Sequence, residues 1–305
     1  MVTHADRANP PELPYHCLSV AAETPKTGPR AAYRIAGCHI TVDQPLSSLD
    51  AFLEEPTANS AAPTFSPVET WHCATRGLVG NHIRTVNCQS GGNHQNVTIE
   101  NVGQFTISTA GQVQYPNPLN PAFLTEALCG PLLPLAMTWQ DIFCLHGSAV
   151  MGAGGLTLFL GVSGAGKSTL ASALSGQGFE RWADDTIAVD AHEIGLCRGH
   201  YPQPKWHNWR PSTPRNVAPL RQIIFLNPGA DSPCILTPTP PPTATLALIE
   251  HTLAGRLFAP SMLRRQLRFA AALADKVPCS TLYYRQELAS LTPMINAIRA
   301  LGAPS

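Results

Sequence analysis

The sequence predicts an α/β fold preceded by a β-rich lobe, and three observations carry that prediction. The apolar segment Leu156–Leu160 runs through a glycine-rich loop directly into a stretch of helical spacing. Beyond Pro121, short apolar runs of strand length alternate with helical patterns. Before it, residues 31–115 hold only short strand-like stretches separated by turn residues. Composition narrows the classes further. The 305 residues carry 20 Lys+Arg against 20 Asp+Glu, and charged residues are 13%, roughly half the ~25% usual for globular chains. That balance lacks the electrostatic footprint of a nucleic-acid binder, so no nucleic-acid partner is expected. A 44% share of hydrophobic residues is enough for a core, and the length allows one or two domains. No run of membrane-spanning length is expected, and the polar, proline-containing start Met1–Pro14 has no apolar signal core. The expectation is therefore a cytoplasmic chain without a membrane partner. Nine cysteines are scattered from Cys17 to Cys279 with no C-x-x-C pair, which argues against a zinc site or a disulfide framework.

Taken in order, residues 1–30 read as a loose leader. Ala32–Ile35 and Cys38–Val42 flank Gly37 as strands of a hairpin or bulge. Leu46–Leu53 is a loop or short helical turn, and 54–67 is a Pro/Ala/Ser/Thr connection. Ile83–Asn87, Asn96–Glu100 and Gln104–Ser108 are strands, and a turn at Ala110-Gly111 leads to Val113–Tyr115. The β-rich lobe is thus placed at 31–120 and a second domain at 121–305. Phe123–Thr138 has helical spacing that Pro131 and Pro134 must break or kink. Cys144–Met151 and Leu156–Leu160 are two strands joined by Gly152–Gly155, Thr169–Ser175 lies in a helix, and Thr186–Val189 is a strand. A proline-rich stretch at 202–219 precedes the apolar strand Gln222–Leu226. Leu246–Leu253 and Met262–Lys276 are helices, the latter with Arg264, Arg265 and Arg268 expected on a solvated face. Leu282–Tyr284 is a last strand and Leu291–Leu301 a terminal helix.

The loop after Leu160 reads Gly161-Val162-Ser163-Gly164-Ala165-Gly166-Lys167-Ser168, followed by Thr169. This is the G-x-x-x-x-G-K-[ST] pattern between a strand and a helix, the context its chemistry requires. Glycines let backbone N–H groups turn inward as an anion nest, and the helix N-terminus adds partial positive charge. Lys167 supplies a point charge for β/γ-phosphates, and the Ser168 hydroxyl can complete a Mg²⁺ shell. Gly161, Ser163, Gly164, Ala165, Gly166, Lys167, Ser168 and Thr169 are therefore the candidate nucleotide cradle. Asp184-Asp185 stands at the entrance of the next apolar strand, where adjacent carboxylates can serve as magnesium partner and general base. His146, in Leu145-His146-Gly147-Ser148-Ala149, is placed on the strand that hairpins onto Leu156–Leu160. Lys205 and Arg210, flanking two tryptophans in Lys205–Arg210, are candidate contacts for the transferring phosphate or its acceptor.

These features together resemble HPr kinase/phosphorylase and the wider group of phosphoenolpyruvate-carboxykinase-like P-loop proteins. The shared pattern is a His-Gly strand (His146-Gly147), a P-loop ending in Gly166-Lys167-Ser168, and Ala183-Asp184-Asp185 before a strand. More closely, the chain is similar to the HPr-kinase-like proteins of bacterial biosynthetic gene clusters, including clusters for ribosomal peptides such as lasso peptides. That similarity rests on Tyr33-Arg34-Ile35-Ala36-Gly37-Cys38, Leu145–Val150, the Pro202–Trp209 segment and Pro219-Leu220-Arg221-Gln222-Ile223. The second signature of true HPr kinases is missing after Arg198-Gly199. The resemblance implies a PEP carboxykinase-like P-loop core with a mixed sheet. It implies an ATP- and Mg²⁺-dependent kinase acting on a serine-type hydroxyl of a peptide or small protein, with a homo-oligomer possible. In that scheme Asp184 is the base, His146 tunes the pair, and Ser168 with Asp185 holds Mg²⁺. A small-molecule hydroxyl kinase and a non-catalytic nucleotide-binding regulator or NTPase remain open alternatives.

Overall fold

The computed structural model describes residues 31–42, 46–53, 68–79, 82–115, 120–199, 201–202, 217–229 and 234–302. The leader at 1–30, the connection at 54–67 and the segment holding Lys205 and Arg210 lie outside the described residues.

Period-two burial builds the first sheet. Its strands are β1 (Ala31–Ile35), β2 (Cys38–Val42), β3 (Val68–Val79), β4 (His82–Gly92), β5 (His94–Ile99), β6 (Gly103–Ser108) and β7 (Gln112–Gln114), in the order β1-β2-β7-β6-β5-β4-β3. In β5, Gln95, Val97 and Ile99 are buried while His94 and Thr98 are exposed, so one face is turned to the core. Leu46–Leu53 contains a 3-10 helix from Ser47 to Phe52. The sheet is stitched to the rest of the chain by polar as well as apolar contacts. The fully buried Gln95 donates its amide to the Leu257 carbonyl (3.1 Å) and to Cys88 Sγ (2.8 Å). One continuous buried cluster runs from Tyr33 and Ile35 through Leu128 and Leu135 to Phe143, Phe258 and Leu273.

The predicted kinked helix is α1 (Pro121–Ala127), a π-turn at Leu128–Leu132 and α2 (Leu133–Trp139). The Asn120 side chain accepts from the Ala122 N–H and caps it, with Pro121 where a missing N–H costs nothing. Gly130 leaves helical geometry (φ −81°, ψ −108°) directly before Pro131, because proline disfavours the α conformation in the residue before it. The expectation of no membrane-length apolar run needs correction. Ala122–Trp139 has the length and mean hydropathy (1.2) of a span, but 61% of it is buried, as in a core helix.

The second sheet is built from β8 (Ile142–Leu145), β9 (Gly147–Gly152), β10 (Gly155–Leu160), β11 (Glu180–Asp184), β12 (Ile187–Asp190), β13 (Leu196–Arg198), β14 (Val217–Pro228), β15 (Cys234–Pro238) and β16 (Cys279–Tyr284). Its order is β11-β9-β10-β14-β13-β12-β8, with β16 paired to β14 and β15 to β16. β10–β14 and β14–β16 are parallel and the other pairs antiparallel, so the protein is mixed α/β. The helices are α3 (Lys167–Ser175), α4 (Pro241–Glu250), α5 (Pro260–Lys276) and α6 (Leu291–Gly302). All six residues of β10 are buried, as a central strand covered on both faces requires.

Two expectations change here. The predicted strand Cys144–Met151 is two strands broken at His146: β8 pairs with β12, whereas β9 pairs with β10 and β11. The neighbouring stretch of the chain breaks at the same level, between Asp184 of β11 and Ile187 of β12. Ser148 faces Asp184 on one side of the break, and Leu145 faces Ile187 on the other. The arginines of α5 do not share one solvated face either. Arg264 and Arg268 are exposed, but Arg265 turns inward, donating to the Thr138 carbonyl (2.8 Å) and pairing with Asp141.

Asp190, at the end of β12, is 2% exposed and accepts from the N–H groups of His192 (2.7 Å) and Glu193 (3.0 Å) and from Arg198 Nε (2.8 Å). Burial alone would raise its pKa, but the Glu193 and His192 N–H bonds and the Arg198 guanidinium outweigh it and hold the carboxyl below its ordinary 3.8. A carboxyl depressed in the folded state contributes stability above its unfolded pKa, and that stability is lost as pH falls through the folded value. Arg198→Ala should therefore lower the melting temperature at pH 7. The gap between wild type and variant should narrow as pH drops below the ordinary carboxylate range. A gap independent of pH would contradict this account.

Candidate functional site

The site forms where β10 runs out and the two broken strands part. The glycine-rich loop turns back sharply at Gly161, where a Cβ would stand 2.9 Å from the Leu226 carbonyl of β14. Gly164 and Gly166 have φ of +84° and +82°, a region that side chains resist. The loop is also held from outside. Tyr284, the last residue of β16, donates its hydroxyl to the Ala165 carbonyl, and Gln286 Nε2 donates to the Gly164 carbonyl (2.9 Å). The helix after the loop starts at Lys167, with the Leu170 N–H on the Gly166 carbonyl (2.9 Å).

Lys167 is buried, 7% exposed, and its Nζ donates to the carbonyls of Gly161 (2.8 Å) and Val162 (3.1 Å). Its ammonium is thus folded into the concave side of the loop. Ser163, Gly164, Ser168 and Thr169 are exposed, while Ala165 is buried. Ser168 Oγ donates to Asp184 Oδ1 at 2.8 Å. The loop and the carboxylate pair, separate in sequence, therefore meet.

Asp184 precedes the apolar strand β12 as expected, but it also ends β11, a strand whose Glu180-Arg181-Trp182 start hides it from an apolar reading. Its side chain is nearly buried and fully engaged. Oδ1 also accepts from Ser148 Oγ (2.5 Å), and Oδ2 faces Arg181 Nη2 (3.2 Å). Asp185 lies in the break itself with φ +75°, an uncommon backbone conformation for a residue with a side chain. Its Oδ1 lies 3.9 Å from His146 Nδ1, and both side chains are partly exposed (26% and 34%). His146 sits in the matching break of the neighbouring strand, its N–H on the His251 carbonyl (2.8 Å).

The structure thus brings together Gly161, Ser163, Gly164, Ala165, Gly166, Lys167, Ser168, Thr169, Asp184, Asp185 and His146. Lys205 and Arg210 lie outside the described residues. Three participants escaped the sequence reading. Ser148 was in view inside the His146–Ala149 segment, two residues past the histidine, but a lone serine carries no signal. Arg181 sits in a polar strand with nothing to mark it. His251, just past α4, arrives through the bridge between Leu145 and Thr252. Burial lowers its pKa, the Lys167 charge adds to that, and Glu250 opposes it.

The hydroxyl of Ser168 and a carboxylate oxygen converge in this arrangement, and both are hard donors of the kind Mg²⁺ takes. Among the described residues no group of three His, Cys, Asp or Glu side chains is gathered as a metal cage. A cation here would take few protein ligands, as Mg²⁺ does when phosphates and water supply the rest.

No family model matches the chain, and no curated protein matches it. Among solved structures, the chain is similar to the Hpr(Ser) kinase/phosphatase from Coxiella burnetii, with 14% identity and a TM-score of 0.27, over 52% of this chain and 97% of that one.

Proposed function

We propose that the protein is an ATP-dependent kinase that transfers the γ-phosphoryl group to a serine-type hydroxyl of a peptide or small protein. The observation that carries this reading is the hydrogen bond from Ser168 to Asp184, which joins the glycine-rich loop to an acidic pair at one point. Phosphoryl transfer needs little covalent help from a protein. It needs the phosphates cradled, the charge neutralised and an acceptor hydroxyl positioned and relieved of its proton. The loop from Gly161 to Ser168 supplies the first of these. Lys167 exchanges its two neutral carbonyl partners for a phosphate, a charge-assisted and stronger bond. Ser168 and one carboxylate of the pair are the residues that would hold Mg²⁺, which when bound neutralises charge on the β- and γ-oxygens. The second carboxylate of the pair is left for the acceptor. Exposure of Ser168 and Thr169 favours an open mouth that a hydroxyl on a flexible chain can enter.

The test is a calorimetric titration with ATP in the presence and absence of Mg²⁺, followed by incubation of γ-labelled ATP with a library of serine-containing peptides. Magnesium-dependent ATP binding and label on serine are the expected results. ADP release with no label on any peptide would instead favour a nucleotide hydrolase, and absence of ATP binding would remove the reading altogether.

A further inference from the structure

β10 carries the glycine-rich loop at one end and a cavity of ≈ 240 Å³ at the other. Six strand residues separate the two, about 20 Å at ~3.3 Å per residue. The cavity lies between the β9–β10 turn and α6. Its lining holds two guanidiniums, Arg221 and Arg299, and no carboxylate.

Departures from regular structure build it. Leu156 faces Leu220 and Thr157 faces Gln222, so Arg221 is an extra residue in β14, a bulge. Bulges re-aim side chains. This one lets Arg221 and Gln222 line the same cavity, where regular alternation would send neighbours to opposite faces. The glycines of the turn clear the space: a Cβ at Gly152 would stand 2.9 Å from Phe179 Cε1, and one at Gly154 would collide with Arg221 Nη1. Polar residues also interrupt an apolar face. Phe159 and Ile224 share a buried cluster with Leu170 of α3 and Ile298 of α6. Two residues back along the same face stand Thr157 and Gln222, joined by a hydrogen bond from Gln222 Nε2 to Thr157 Oγ1 (2.9 Å). Thr157 is 2% exposed, and as the acceptor in that bond it keeps its own hydroxyl hydrogen to donate. Arg221 Nη2 donates to the Leu301 carbonyl (3.0 Å), a bond that uses one of the five N–H donors of a guanidinium and fixes its orientation.

We propose that this cavity binds a small organic dianion bearing hydroxyl groups, with its charge on Arg221 and Arg299, its hydroxyls on Thr157 and Gln222, and its carbon body against Phe179 and Ile298. Two guanidiniums match two negative charges, and their N–H forks suit phosphate and carboxylate oxygens alike. The volume is below the roughly 300–1,000 Å³ of drug-sized sites, so the occupant is small. The proposal does not rest on the kinase reading, because no residue of the cavity belongs to the glycine-rich loop or the carboxylate pair.

The test is calorimetric titration of the full chain, without nucleotide, with glycerol 3-phosphate and separately with malate. The two arms decide between a phosphate ester and a dicarboxylate. Saturable binding of at least one is expected, and none of glycerol, which lacks the charge. Arg299→Gln, at an exposed position, should weaken that binding about tenfold or more, the scale of a lost charge-assisted hydrogen bond. Arg221→Gln should do at least the same. Because Arg221 also holds the Leu301 carbonyl, Arg299→Gln carries the test if a thermal melt shows the other variant unfolded. Lys167→Met should bind the dianion within about twofold of wild type, as distant sites act independently. That arm separates this cavity from the glycine-rich loop. No saturable binding of either dianion, unchanged affinity in Arg299→Gln, or loss of binding in Lys167→Met would overturn the proposal.

Discussion

Lys167→Met is expected to lower ATP affinity by about 100-fold or more while the protein stays folded. Hydrogen bonds to charged groups contribute roughly 1.5–3 kcal/mol each, and a loss of about 2.7 kcal/mol is a hundredfold in affinity. The Lys167 ammonium donates to the carbonyls of Gly161 and Val162, both in the loop, and methionine keeps an apolar stem in the buried path. The expected cost to folding is about 1–3 kcal/mol, the scale of leaving buried loop carbonyls without their donor. Calorimetry with ATP and a thermal melt check the two halves separately. Unchanged affinity would remove the phosphate nest from consideration, and a chain that fails to fold would mean that the lysine is a core residue.

The largest effect on stability is expected at Gly147. A Cβ there would lie 2.6 Å from the Phe159 carbonyl, 2.8 Å from Leu160 Cδ2 and 3.2 Å from Leu158 Cδ1. The first obstacle is backbone of the central strand β10, which cannot step aside without losing its pairing to β14. Overpacking typically costs ~1–3 kcal/mol, and Gly147→Val should reach or exceed the upper end of that range. Chemical denaturation measures it; a change below about 0.5 kcal/mol, the size of an ordinary surface substitution, would mean that β9 sits further from β10 than described here. The same variant should disturb activity even where some protein folds, since Gly147 follows His146 at the break.

What the sequence disclosed and what it withheld divide along physical lines. β10, α3, β12 and α6 were legible because they are long or apolar enough for periodicity to speak, and the loop was legible because glycine and lysine at fixed offsets have few other uses. β3 was missed because its Trp71–Arg76 stretch interleaves polar residues on a half-buried surface. β11, β13 and β15 were missed because they are short and held by their neighbours rather than by their own residues. The break at His146 left no trace in an unbroken apolar run, since Cys144 to Val150 looks alike whichever partner strand each half pairs with. Arg265 looked like surface charge because its partner Asp141 lies far away in sequence. At the site, residue types were readable but the allocation of partners was not: nothing in Asp184-Asp185 says which carboxylate the serines will hold.

The pairing of β10 with β14 also has a consequence for synthesis. The contact between Thr157 and Gln222 spans 65 residues, so during translation β10 leaves the ribosome long before the strand that covers one of its edges. Until then it is an apolar strand with an unpaired side, the kind of segment most prone to wrong association. The loop it carries is finished later still, because the clasp on Ala165 comes from Tyr284. Nascent chains stalled before β16 should therefore be chaperone clients without an ordered glycine-rich loop, and the loop should become ordered only once β16 has emerged.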